Sequence, residues 1–167
     1  MARIAILTAS DKGARGERED VSGATIARLV TAGGHEVVRH DVVADSRALI
    51  AERLRVWADA GLCDVILTTG GTGLTERDYT PDATRDVAER DVPGIQGALI
   101  QKGMQFTPMA ALTRGEIGVA VTRGRTLIVN LPGSPKAVVQ GMEVLLPLLE
   151  HVAELLAGPV EHTAGGQ

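Results

Sequence analysis

The 167-residue chain has one cysteine, one tryptophan, one tyrosine and one phenylalanine. A single cysteine, Cys63, excludes an intrachain disulfide, and without catalytic-cysteine context it reads as a small buried hydrophobe. With aromatics at 2% of the chain, the core must be built from Val, Leu, Ile and Ala. No apolar run is long enough to span a membrane. The N-terminal run in MARIAILTAS is too short for a signal peptide and polar residues follow at once, so a cytoplasmic protein is expected. An excess of basic charge is also missing. A net charge of -4 argues against nucleic acid as the main partner. It leaves phosphate ligands open, because backbone N–H groups bind phosphate without a basic surface.

What remains is 44% hydrophobic residues and twenty glycines, enough for one domain with a full core. The glycines form no repeat and read as turns and sites of close backbone approach. Strands are expected over Arg3–Ala9, Glu36–Val43, Asp64–Thr68, Gly118–Val121 and Thr126–Leu131, the last two joined by Thr122-Arg123-Gly124-Arg125. Ser10–Gly23 reads as a polar loop and Thr25–Thr31 as a helix ending at Gly33-Gly34. Asp45 or Ser46 caps a helix with Leu49, Ile50, Leu54 and Trp57 on one face, stopped by Gly61. Thr80-Pro81 gives an N-cap and a first-position proline for a helix to about Arg90. Val92-Pro93-Gly94 reads as a turn before a helix over Ile95–Gln105. Pro132-Gly133-Ser134-Pro135 opens a C-terminal helix, interrupted at Pro147, that ends near Gly158. The expected architecture is one α/β domain over 1–158, three-layered. Its sheet is mainly parallel with helices on both faces and one antiparallel hairpin strand. A polar tail, 159–167, follows.

In such sheets ligands bind beyond the carboxyl ends of the strands, which directs attention to 10–23, 44–46, 68–80 and 131–136. The richest segment is GGTGLTERDYTPDAT, Gly70–Thr84. Gly70, Gly71 and Gly73 allow positive φ and close backbone approach, and successive N–H groups there can form an anion-binding concavity. Thr68, Thr69, Thr72 and Thr75 add hydroxyls. The spacing matches neither common phosphate-loop pattern, so a strained strand-to-helix turn is an equal reading. Asp78 decides what such a site would need. A carboxylate about 4 Å from a phosphate charge is repelled by ~4 kcal/mol at an effective dielectric of 20. A divalent cation between them reverses the sign, and Mg²⁺ takes one or two carboxylates plus phosphate oxygens. An ion pair with Arg77 or a helix cap is the plainer role for Asp78. Asp82, in the first helical turn, complements the dipole. His35, His40, His151 and His162 lack zinc-like spacing.

The same residues, with Arg77-Asp78, resemble the signature of the MogA/MoaB family, which includes bacterial molybdopterin adenylyltransferases and related domains of gephyrin and MoeA. Three further segments agree: Ser10-Asp11 with Gly16, Asp20, Ser22 and Gly23; Val43-Ala44-Asp45; and Asn130–Ala137, which contains Pro132, Gly133, Ser134 and Lys136. The resemblance implies a molybdopterin-binding fold, usually trimeric. It implies that Mg²⁺ and ATP adenylylate the terminal phosphate of molybdopterin and release pyrophosphate, with a MoeA-type partner for molybdate insertion. It makes Asp45 and Asp78 catalytic and candidate Mg²⁺ ligands. It places Ser10, Asp11, Thr69, Gly70, Gly71, Thr72, Gly73, Pro132, Gly133, Ser134, Lys136 and Arg114 at substrate or nucleotide. Plain solvated side chains are the competing reading for Lys136 and Arg114. A MoaB-like paralogue, or a non-catalytic pterin-binding or scaffold module, is the rival function. Gly97 stands where the family pattern has an acidic residue.

Overall fold

The computed structural model describes residues 1–114 and 120–158. The strands are β1 (Arg3–Ala9), β2 (Glu36–Val43), β3 (Val65–Thr69), β4 (Arg90–Asp91), β5 (Ala120–Arg123) and β6 (Thr126–Leu131). The helices are α1 (Asp11–Ala14), α2 (Val21–Ala32), α3 (Arg47–Asp59), α4 (Thr80–Arg85), α5 (Pro93–Met104) and α6 (Pro135–Ala157). The strands form one sheet in the order β2-β1-β3-β6-β5-β4. β2, β1, β3 and β6 run parallel, and β5 is antiparallel to both β6 and β4.

Side chains alternate across this sheet and feed two separate cores. Ile4 and Ile6 of β1, Val65 and Leu67 of β3, and Leu127 and Val129 of β6 face one side. There they meet Ile26 and Val30 of α2 and Val138, Met142, Leu145 and Leu149 of α6. Ala5, Leu7, Ile66 and Ile128 face the other side, against Ile50, Leu54 and Trp57 of α3. Both faces being covered explains why the strands read as continuous apolar runs. β1→α2→β2 moves outward in one direction and β2→α3→β3 returns past β1. Right-handed crossovers therefore put α2 and α3 on opposite faces. Cys63 is buried in the second core, where burial pushes its thiol up to about 12.

Several elements differ from the sequence expectation. Within the expected polar loop, Ser10 accepts from the Gly13 N–H at 3.0 Å and closes the one-turn helix α1. α2 begins at Val21 because Asp20 caps it, accepting from the Gly23 N–H at 2.8 Å. Ser46, not Asp45, caps α3, and Leu49 lies 47% exposed, off the buried face. Tyr79 occupies the cap position of α4, since the Thr80 hydroxyl donates instead to the Gly70 carbonyl at 2.8 Å. α4 stops at Arg85, because Arg90 and Asp91 pair with Thr122 and Val121 as an edge strand. That pairing is non-local and leaves no periodic signal. Pro93 lies inside α5 rather than in a preceding turn. β5 extends through Arg123, leaving Gly124-Arg125 as the turn, with Gly124 at φ +55°. Gly118 and Val119 of the expected strand, and the tail 159–167, lie outside the described residues. α6 is continuous through Pro147. The proline sits on the exposed side, while Leu145 and Leu149 hold the helix to the sheet.

Candidate active site

Beyond the carboxyl ends of β1, β3 and β6, three backbones meet with little side chain between them. Gly70 has φ +85°, and a Cβ there would stand 2.3 Å from the Ala9 carbonyl oxygen. A Cβ on Gly133 would lie 3.3 Å from the Gly70 Cα. Gly71, at φ +63°, faces Asp45 Oδ1, which a Cβ would approach to 3.4 Å. The loops after β1 and β3 part here to opposite faces of the sheet. This is the switch point at which open α/β sheets bind ligands. They enclose a cleft of about 690 Å³. Its wall carries five carboxylates, Asp11, Glu19, Asp20, Asp45 and Asp78, against three cations, Lys12, Arg18 and Arg77. A bare polyphosphate would meet a net negative wall here, so a phosphate ligand requires accompanying positive charge.

Asp45 and Asp11 are locked together across two loops. The Asp11 N–H donates to Asp45 Oδ2 at 2.9 Å, and the Asp45 N–H donates to Asp11 Oδ1 at 3.0 Å. Burial pushes the Asp45 carboxyl above the ordinary carboxylate range, and the charges of Asp11 and Asp78 add to the rise. The N–H of Asp45, and then the Arg77 guanidinium paired with Oδ2, hold Asp11 below that range. Asp78 Oδ2 accepts from the Thr75 N–H at 2.8 Å and the Thr75 hydroxyl at 2.6 Å. That closes a tight turn whose inner side needs Gly73, because a Cβ there would lie 2.8 Å from Asp78 Oδ2. Asp78 is therefore held by Thr75 rather than by Arg77. Each of Asp45 and Asp78 keeps its Oδ1 without a hydrogen-bond donor among the described residues. Two free carboxylate oxygens on one cleft fit a hard divalent cation that also takes phosphate oxygens. No group of three or more His, Cys, Asp or Glu forms an all-protein metal cluster among the described residues.

The remaining sequence candidates divide in two. Ser10, Asp11, Thr69, Gly70, Gly71 and Gly133 line the cleft. Ser10 does so while capping α1, and the Thr69 hydroxyl donates to the Pro132 carbonyl at 2.7 Å. Thr72, Gly73, Pro132, Ser134, Lys136 and Arg114 stand outside its wall. Arg114 grips the glycine loop from behind. Its Nε donates to the Gly73 carbonyl at 2.9 Å, its Nη2 to Asp82 at 2.9 Å, and Nη2 also to the Asp78 carbonyl. Ser134 caps α6 by accepting from the Ala137 N–H at 3.2 Å. Lys136 is exposed in the first turn of the same helix.

Asp20, one of the family-like residues of the first loop, is the centre of a hydrogen-bonded cluster. Asp20 Oδ2 accepts from the Thr8 hydroxyl at 2.8 Å and meets His40 Nε2 at 2.8 Å. Its carboxyl stays below the ordinary range because the His40, Gly23 and Thr8 hydrogen bonds outweigh burial, the largest single influence. A Cβ on Gly23 would come within 2.1 Å of Asp20 and 2.4 Å of His40. Beside it, the Ser22 hydroxyl donates to the Gly133 carbonyl at 2.6 Å and ties α2 to the last loop. The pattern Asp-x-Ser-Gly was a usable signal for the cap. The His40 partner comes from another strand and had none.

Residues 5–151 match the family described as a probable molybdopterin binding domain. The chain belongs to this family. The molybdopterin adenylyltransferase of Helicobacter pylori strain J99 is 34% identical over 93% of this chain and 88% of that protein. The molybdopterin adenylyltransferase of Escherichia coli K12 is 32% identical over 97% and 89%. The crystal structure of the molybdopterin biosynthesis enzyme MoaB from Thermus thermophilus is similar, with a TM-score of 0.86 and 48% identity, over 95% of this chain and 98% of that one. This molybdopterin-binding domain carries Gly97 on the exposed side of α5, where a Cβ would meet nothing within 4 Å. Gly97 does not line the cleft.

Proposed function

We propose that this protein is a molybdopterin adenylyltransferase of molybdenum cofactor biosynthesis, using ATP and Mg²⁺. The observation that carries the reading is the convergence of Asp45 and Asp78, each with one free oxygen, on a glycine-floored cleft whose wall is net negative. The names of the Helicobacter and Escherichia relatives support the same reading.

In this reaction a terminal phosphate oxygen of molybdopterin attacks the α-phosphorus of ATP. The bond to the β-phosphate breaks, and pyrophosphate leaves. The attacking oxygen is already anionic, so no strong general base is needed, and orientation and charge neutralisation dominate. Asp45 Oδ1 and Asp78 Oδ1 would hold Mg²⁺, which when bound neutralises phosphate charge. Gly70, Gly71 and Gly133 let Ala9, the Thr80 hydroxyl and the neighbouring loop close in behind the floor of the cleft, which sets the backbone that phosphate groups would meet. Thr75 fixes the rotamer of Asp78, and Asp11 fixes Asp45. Residues 1–158 act as one domain, with 159–167 a tail. A homotrimer, a MoeA-type partner and a cytoplasmic location belong to the same proposal through the family resemblance. A MoaB-like paralogue is a second reading, favoured by the 48% identity to the Thermus MoaB.

The deciding experiment mixes the protein with molybdopterin, ATP and MgCl₂ and measures AMP-linked pterin and pyrophosphate. Pterin binding with no turnover would sink the transferase reading and leave the paralogue or scaffold one. Asp78→Asn should keep the fold and pterin binding while turnover falls about 100-fold or more. A circular-dichroism melt alongside the assay separates that loss from unfolding.

A further inference from the structure

The ion pair between Arg77 and Asp11 crosses the cleft, joining the loop after β3 to the loop after β1. Its two ends are unequal. Asp11 is 26% exposed and doubly anchored, because its Oδ1 also receives the Asp45 N–H. Arg77 is 65% exposed on a long flexible stem, while its own backbone stays tied by the Tyr79 N–H at 3.1 Å. An ion pair this open to solvent is weak and readily exchanged. Among the three cations of the wall, Arg77 is the one that forms an ion pair with a wall carboxylate among the described residues. It arises one residue before Asp78 and six after Gly71, within the loop that floors the cleft. Lys12 and Arg18 lie on the opposite loop. A guanidinium presents a planar fork that meets two phosphate oxygens at once, which an ammonium cannot do.

We propose that Arg77 is a phosphate-binding residue held in reserve by Asp11: an incoming diphosphate takes the guanidinium from Asp11 by direct exchange of partners. This inference rests on the reading of the cleft as a phosphate site. Asp11 does not follow the guanidinium, because the Asp45 N–H retains it. Its Oδ2, relieved of Arg77, then faces the same cleft as Asp45 and Asp78. The exchange moves a positive charge onto the ligand and exposes a negative one to the wall. Binding of a diphosphate and of a divalent cation are therefore coupled, each favouring the other.

Calorimetric titration of inorganic pyrophosphate, without metal and at several MgCl₂ concentrations, tests this with five proteins: wild type, Asp11→Asn, Arg77→Ala, the double variant Asp11→Asn/Arg77→Ala, and Arg77→Lys. Asn at position 11 keeps the acceptor for the Asp45 N–H but gives up the ion pair. In the absence of Mg²⁺, Asp11→Asn should bind pyrophosphate several-fold more tightly than wild type. Arg77→Ala should bind at least tenfold more weakly. In the Arg77→Ala background, Asp11→Asn should bring no gain, because there is no guanidinium to release. Arg77→Lys should fall between wild type and Arg77→Ala. The strengthening of pyrophosphate binding by Mg²⁺ should shrink in Asp11→Asn and in Arg77→Ala. A gain from Asp11→Asn that persists without Arg77 would be a field effect of one lost negative charge and overturns the exchange. So does Arg77→Ala binding within twofold of wild type, or a wild type that binds no pyrophosphate. None of these readouts involves molybdopterin, so a protein that passes them yet fails to adenylylate the pterin removes the transferase reading alone.

Discussion

Asp45 is half-buried, hydrogen-bonded through one oxygen, and held above its ordinary pKa by burial. A carboxyl raised on folding costs the folded state free energy once it ionises. It favours folding below its unfolded pKa, and that advantage is lost as pH rises through the folded value. Asp45→Asn should therefore raise Tm at neutral pH, by less than the ~2–4 °C that 1 kcal/mol is worth in a chain of this size. The same variant should lose turnover, and calorimetry and the adenylylation assay check the two halves. Asp20 has the opposite sign. Its carboxyl is depressed by His40, Gly23 and Thr8 against the opposing effect of burial. The stability it supplies is present above the ordinary carboxylate pKa and fades as pH falls through the lower folded value. Asp20→Asn should cost on the order of 1 kcal/mol at pH 7, and the gap to wild type should narrow as pH falls below the ordinary carboxylate range. A gap that is flat with pH in urea melts would show that charge has no part in it. The contrast also marks what a sequence can say. Asp78 stood out because a carboxylate beside a glycine-rich anion loop calls for a cation, and Asp45 because Val43-Ala44-Asp45 resembles a family segment. Asp20 read as part of a polar loop, because two of its partners, Thr8 and His40, lie on β1 and β2.

The loop from Gly70 to Tyr79 is fixed from three directions. Thr80 holds the Gly70 carbonyl, Asp78 folds back on Thr75, and Arg114 spans the Gly73 carbonyl and Asp82. Asp82 read from sequence as a dipole partner for α4. The structure gives it a second task, receiving Arg114. Arg114→Ala should loosen the whole loop and lower kcat/KM by up to about 100-fold, since sub-ångström placement is what the reaction depends on. Limited proteolysis should find new cleavage between Gly70 and Tyr79. Unchanged kinetics together with an unchanged cleavage pattern would contradict the clamp. Strands and long helices were legible because both faces of the sheet are covered by periodic apolar residues. The short elements α1 and β4 were not. One depends on a single serine cap, and the other on pairing to a strand some thirty residues away.

On the scale of the whole molecule, the sheet separates two cores that share no side chains, and the cleft sits where the chain switches between them. The glycine contacts among Ala9, Gly70 and Gly133 join the ends of three strands at that point. Cys63 lies at the foot of the second core, 2% exposed, its carbonyl receiving the Thr126 hydroxyl at 3.0 Å. With its thiol pushed up to about 12 by burial, almost no thiolate exists at neutral pH. As the one cysteine of the chain, it makes the protein its own stopwatch. A thiol reagent added in native buffer should register only those molecules that have opened. Its labelling rate should accelerate with urea in step with global unfolding. Labelling within seconds in native buffer would contradict the burial. The same readout, run with pyrophosphate present, would time how far a ligand bound at the top of the sheet slows opening of the core beneath it.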